Sequence, residues 1–162
     1  MIVTPAPLLL DYVRVCIDMP EDERAQITDL TGQPFGIDNV AVGCWQVNGP
    51  KWAIGFEGRP LVVGGFNQER PGVWRDFLLT TPAAWAPENW FAVTRHCRRI
   101  MDLMLRPGTG HRLECVTPTA RIRAKSELVK WYKVLGYNHE ATLHGYCASG
   151  ADAELFARVK HI

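Results

Sequence analysis

The sequence has no apolar run approaching the length of a membrane-spanning helix, although hydrophobic residues fill 47% of its 162 positions. None of its five cysteines (Cys16, Cys44, Cys97, Cys115 and Cys147) stands in a CxxC pair, and their number is odd. Neither a zinc site nor a disulfide framework is expected, and thiols scattered singly through apolar segments suit a reducing compartment. The five histidines form no i, i+4 pair of the kind that holds a metal. There is no GxSxG elbow, no Walker loop and no dinucleotide fingerprint. The opening segment, Met1 to Leu10, has neither a basic stretch nor a small-residue cleavage site, so no signal peptide is expected. These absences, with a length that suits one hydrophobic core, point to a single cytoplasmic domain over residues 1–162.

The net charge is small, +1, but it is unevenly divided. Residues 1–90 carry a net −5 and residues 91–162 a net +6. The basic half could face nucleic acid, an acidic partner or the phosphates of a cofactor; a solvated helix face gives the same composition.

Along the chain, Leu9, Tyr12, Val13, Cys16 and Ile17 recur at helical spacing. Pro20 opens a second helix with Glu21, Asp22 and Glu23 in its first turn, and Gly32 closes it. Asp38 to Val47 reads as a strand or a structured loop. Lys51–Glu57, Arg59–Phe66 and Val73–Thr80 read as three antiparallel strands, with turns at Glu57-Gly58 and over Asn67–Gly72. A long helix is expected from Glu88 to about Leu105, with Val93, Cys97, Ile100 and Met101 inside and Arg95, Arg98 and Arg99 outside. A strand over His111–Val116, a helix over about Arg123–Leu135, and strands over His139–Cys147 and Glu154–Ile162 complete the order. A meander followed by helix, strand and helix is an α+β plan, a three-layer arrangement of helices about a mixed sheet.

Within that order, Trp131-Tyr132-Lys133-Val134-Leu135-Gly136-Tyr137 resembles the "FYEKLGF" signature of the GNAT superfamily of N-acetyltransferases. The resemblance covers roughly residue 50 to the end and, more weakly, the opening helices. It implies a mixed central sheet whose strands after Leu113 and near His139 splay apart. A second resemblance is to small GNAT-like proteins of short-tailed phages linked to virion assembly. It rests on Gly58-Arg59-Pro60-Leu61-Val62-Val63-Gly64-Gly65 and Trp74.

The superfamily resemblance implies acetyl-CoA as cofactor and an amine, on a small molecule or a protein, as acceptor. Such chemistry needs a cradle for the diphosphate, a base for the amine and a proton donor for the departing thiolate. The family's cradle is a glycine-containing loop before the long helix, whose N–H groups face the phosphates. Here that loop, Thr81 to Trp90, has no glycine, and Pro82 and Pro87 remove two donors. Thr80 at the end of the preceding strand and Thr81, Trp85 and Asn89 of this loop are placed to touch a cofactor, with Arg121, Arg123 and Lys125 as charges that could reach its phosphates. Lys125 stands where the family often carries an asparagine. Tyr132 falls on the family's proton-donating tyrosine; an aromatic packed beside Leu128 and Leu135 fits the same position. Asp76 is the nearest candidate base, and a solvent-facing aspartate on an alternating strand explains it equally well.

Three functions follow. One is an acyl-CoA-dependent N-acyltransferase with a degenerate diphosphate loop. Another is a non-catalytic GNAT fold that works through a virion or host protein. A nucleic-acid binder is disfavoured, because no aromatics are interleaved with Arg95, Arg98, Arg99, Arg121, Arg123 and Lys125 in a recognisable module.

Overall fold

A computed structural model describes residues 1–56 and 58–160 of the chain. The elements in order are strand β1 (Ile2–Pro5), helices α1 (Leu9–Asp18), α2 (Glu21–Thr31) and α3 (Ile37–Trp45), strands β2 (Lys51–Phe56), β3 (Arg59–Arg70) and β4 (Val73–Thr80), a 3-10 turn (Pro82–Trp85), helix α4 (Pro87–Met104), strand β5 (Arg112–Pro118), helices α5 (Thr119–Ala124) and α6 (Glu127–Leu135), and strands β6 (Asn138–Leu143) and β7 (Ala153–Val159).

Among the described residues seven strands form one sheet, ordered β1-β2-β3-β4-β5-β7-β6. Every adjacent pair is antiparallel except β4 and β5. Helices α1 and α3 cover one face, around Tyr12, Val15, Cys16, Ala41, Val63 and Leu79. Helices α4 and α6 cover the other, around Val93, Cys97, Met101, Leu113, Trp131 and Leu135. With helices on both faces, β2 is buried from Trp52 to Gly55 rather than on alternate residues. The Gly64-Gly65 step of β3 serves this packing. A Cβ on Gly64 would lie 2.5 Å from the Trp52 ring and one on Gly65 2.7 Å from Phe77.

Several expectations need correction. Most of the segment Asp38–Val47, expected as a strand or a structured loop, is helical: α3 runs through it to Trp45 and buries Ala41 against α1. The polar run after Phe66 continues β3 to Arg70. There β3 has outrun β2, whose pairing starts at Gly65, so its side chains meet water while its backbone still pairs with β4. The basic helix expected from Arg123 is two helices, broken at Lys125 and Ser126. Strand β6 stops at Leu143, short of Cys147. Glu57, His161 and Ile162, parts of an expected turn and strand, lie outside the described residues.

The splay is present but in another place. Strand β7 lies between β5 and β6, so the strands after Leu113 and near His139 are not neighbours. It is β4 and β5 that part. They pair only at Val73–Arg112, Trp74–Leu113 and Arg75–Glu114. From Asp76 and Cys115 onward each strand pairs only with its outer neighbour, β3 or β7.

Candidate functional site

The opening between β4 and β5 holds a cavity of about 260 Å³. Strand alternation turns Asp76, Leu78 and Thr80 toward the α4–α6 side, while Phe77 and Leu79 pack on the α1–α3 side. Asp76 therefore faces the cavity at the point where the strands separate. Tyr137, just before β6, donates a 2.6 Å hydrogen bond to Asp76 Oδ2. Burial raises the Asp76 carboxyl to about 6, with the bonds from Tyr137 and Cys115 and the Arg75 charge pulling the other way.

Tyr132 reaches the same cavity from α6. Its hydroxyl lies 2.8 Å from Thr117 Oγ1 on β5. Burial first, then the neighbouring Cys115, hold its pKa well above the ordinary phenol value, so it keeps its proton. The Cys115 thiol stands beside both Asp76 and Tyr132, and burial pushes it up as well. Helix α6 is aimed correctly because it ends at Gly136, whose φ of 90° reverses the chain and lets Tyr137 N–H bond the Tyr132 carbonyl at 2.9 Å.

A larger cavity of about 680 Å³ lies outside, between α2, the start of α4 and the α5–α6 segment. Glu23, Trp85, Arg121, Leu128 and Trp131 line both cavities and so form the wall between them. Glu23 is the centre of that wall. It is only 7% exposed. The Thr80 N–H donates to its Oε2 at 3.2 Å and the Thr80 hydroxyl to its Oε1 at 2.5 Å. Arg121 Nη2 lies 3.3 Å from Oε1. Trp85 Nε1–H donates in turn to Thr80 Oγ1 at 2.7 Å. Burial raises the Glu23 carboxyl above its ordinary value, opposed by the Thr80 bonds and the Arg121 charge. Trp85 stacks on Trp90 with ring centroids 4.9 Å apart, and Trp131 closes the cluster at 5.3 and 5.2 Å.

The structure thus brings most of the sequence-derived candidates to one cleft. Asp76 and Tyr132 face the inner cavity, Lys125 the outer one, and Thr80, Trp85 and Arg121 the wall or its approach. Arg121 and Lys125 also pair with Asp22 at 3.5 and 2.5 Å. Three candidates lie apart. Thr81 donates its N–H to Leu61 O, and Asn89 ties its amide to the Ala83 carbonyl at 2.9 Å. Arg123 is exposed and acts on Asp152. Glu23, Cys115, Thr117 and Tyr137 went unnoticed in the sequence. Glu23 reads there as one of three acids serving a helix dipole, and only tertiary packing turns it inward. Tyr137 had a visible signal, the aromatic after the helix-ending glycine. Among the described residues no group of three His, Cys, Asp or Glu could hold a metal ion, and no helix is long and apolar enough to cross a membrane.

The sequence matches no protein-family model and no curated protein. The fold is nonetheless shared with solved N-acetyltransferases of the GNAT type. Spermidine N-acetyltransferase SpeG from Vibrio cholerae superposes with a TM-score of 0.71 at 9% identity, covering 98% of this chain and 95% of that one. An aminoglycoside acetyltransferase, AAC(6')-Ib, in complex with coenzyme A superposes with a TM-score of 0.66 at 13% identity, over 98% and 95%. The smu.2055 protein from Streptococcus mutans gives 0.71 at 15% identity, over 98% and 99%.

Proposed function

We propose that this chain is an N-acyltransferase that moves an acyl group from an acyl-CoA thioester to an amine, with a degenerate diphosphate site. The observation that carries this reading is the meeting of Asp76 and Tyr132 on one cavity where β4 and β5 part. A carboxyl near 6 is ionised at neutral pH and suits a general base. Asp76 would take the proton of the attacking amine, held in line by Tyr137. Tyr132, oriented by Thr117, would hold a proton ready for the departing thiolate.

The two ends of the cleft fit such a donor differently. The unpaired edge of β4 from Asp76 onward and the cavity beside it suit an extended thioester arm. The diphosphate end is not a fit as it stands. Pro82 and Pro87 offer no N–H, and Glu23 occupies both the Thr80 amide and Arg121. Donor binding is therefore expected to be weak and carried by Arg121 and Lys125 as charges, so it should weaken as salt rises. Titration of acetyl-CoA into the protein at low and high salt tests this. Tight binding indifferent to salt would show that a good cradle exists elsewhere in the cleft.

The Glu23 contacts also favour a second reading, a GNAT fold that has given up catalysis and acts through a protein partner, such as one in a virion or host complex. No acetyl-CoA binding at either salt, together with no transfer to polyamine, aminoglycoside or peptide amines, would select it.

A further inference from the structure

The acidic and basic halves of the chain do not simply neutralise each other. Arg121 and Lys125 are engaged by α2 acids, and Arg112 and Arg158 by Glu114, Glu140 and Asp102. Arg95, Arg98 and Arg99 on α4 are different. All three are exposed, and among the described residues none has a carboxylate within ion-pairing distance. Lys130 and Lys133 on α6 share that condition. The effect is felt locally: partial burial first, then Arg95 and Arg99, hold His96 below the ordinary imidazole value.

These cations surround apolar surface that is exposed among the described residues. Phe91 is 81% exposed and Val134 51%. Both border a groove of about 470 Å³ between α4 and α6, lined also by Trp90, Thr94 and the three arginines. Its one acid, Asp102, is held by Arg158. An exposed aromatic framed by unpaired arginines is the composition of a protein interface, where apolar anchors sit inside a charged rim. It is not what a solvated helix face requires, since solvation needs the arginines but not Phe91.

We infer that the Phe91–Val134 groove and its arginine rim form a docking surface for an acidic protein segment carrying an apolar side chain. The carboxylates would meet Arg95, Arg98 and Arg99, and the apolar side chain would lie against Phe91 and Val134. None of these residues reaches the inner cavity; Phe91 and Val134 also border the outer cavity, whereas Arg95, Arg98 and Arg99 line neither, so the arginine rim stands apart from the proposed transfer site.

Fluorescence anisotropy of the full chain with labelled synthetic peptides tests the inference. One peptide alternates pairs of glutamates with leucine or phenylalanine; a second has the same charge and no apolar residue; a DNA duplex of equal charge is the third probe. The first peptide should bind best. Phe91→Ala should weaken it by about tenfold, the loss typical of truncating an aromatic anchor. Arg95→Glu with Arg98→Glu should weaken it further, and melting temperatures should stay unchanged because these side chains are exposed. Failure of the first peptide to bind would overturn the proposal, as would equal binding of the peptide without apolar residues. Tighter binding of DNA, untouched by Phe91→Ala, would make the face a nucleic-acid surface instead.

Discussion

The inner and outer ends of the cleft are built on opposite principles. At the inner end, Asp76, Tyr132, Tyr137 and Cys115 form a polar group that faces the cavity, with the buried Thr117 bonded to Tyr132 behind it. At the outer end, Glu23, Thr80, Arg121 and Trp85 satisfy one another, and Trp85 and Trp90, packed against Trp131 of α6, fill the place in which a glycine cradle would leave room. The difference teaches that, in the proposed acyltransferase, the part that would handle protons and the part that would hold an anion are separable. One is made by strands parting after three paired residues; the other depends on the backbone of a single loop.

The largest expected effect belongs to the inner end. Asp76→Asn should cut the transfer rate by roughly 10²- to 10⁴-fold, the usual contribution of a general base. In the unaltered protein the rate should rise as pH passes through about 6, where Asp76 loses its proton, and level off above. The same titration acts on stability with the opposite sense. Because the folded-state value is raised, the Asp76 contribution is full below pH 4 and is lost as pH rises through about 6. An Asp76→Asn variant with an unchanged transfer rate and pH profile would end the claim that the two ends differ in chemistry.

The next effect concerns stability at the outer end. Trp131 is 7% exposed, touches Trp85, Trp90 and Tyr132, and donates to Thr94 Oγ1 at 3.2 Å. Trp131→Ala should cost roughly 3–5 kcal/mol of unfolding free energy, measured by urea denaturation. A loss under about 1 kcal/mol would mean the tryptophan cluster is not a packed core.

How far these two ends were legible in the sequence follows from the same physics. The α4 phase was readable because Val93, Cys97 and Met101 repeat on one side and the arginines on the other. Both glycine caps were readable, at Gly32 and Gly136, because a left-handed residue favours glycine. Strand β1 was hidden by its four-residue length and its terminal proline. Helix α3 was hidden by Val40, Val42 and Gly43, which weaken a helical pattern while tertiary packing on α1 sustains it. Asp76 and Tyr132 came to light through resemblance, and the two neutral readings weighed against them partly hold: Tyr132 is indeed packed in the core, but Asp76 faces the cleft. Glu23 was illegible, since its partners Thr80 and Arg121 lie 57 and 98 positions away in the chain.

Smaller effects sharpen the contrast. Tyr132→Phe should lower the rate by about tenfold to a hundredfold and shift stability by about 1 kcal/mol, because Thr117 loses its hydroxyl partner. A loss of stability without a loss of rate would make Tyr132 structural. Glu23→Gln should strengthen acetyl-CoA binding by roughly tenfold in low salt, by removing a negative charge beside Arg121. Calorimetry that finds no gain would place the donor path away from this wall.

The tryptophan cluster has a consequence of another kind. Three of the six tryptophans of the chain, Trp85, Trp90 and Trp131, crowd around the mouth of the cleft, and Trp85 donates its indole N–H to the hydroxyl that faces Glu23. Indole emission depends on the polarity and hydrogen bonding around the ring. The protein therefore carries its own optical gauge: anything that enters past Glu23 must disturb these rings, and intrinsic fluorescence can follow its arrival without a label.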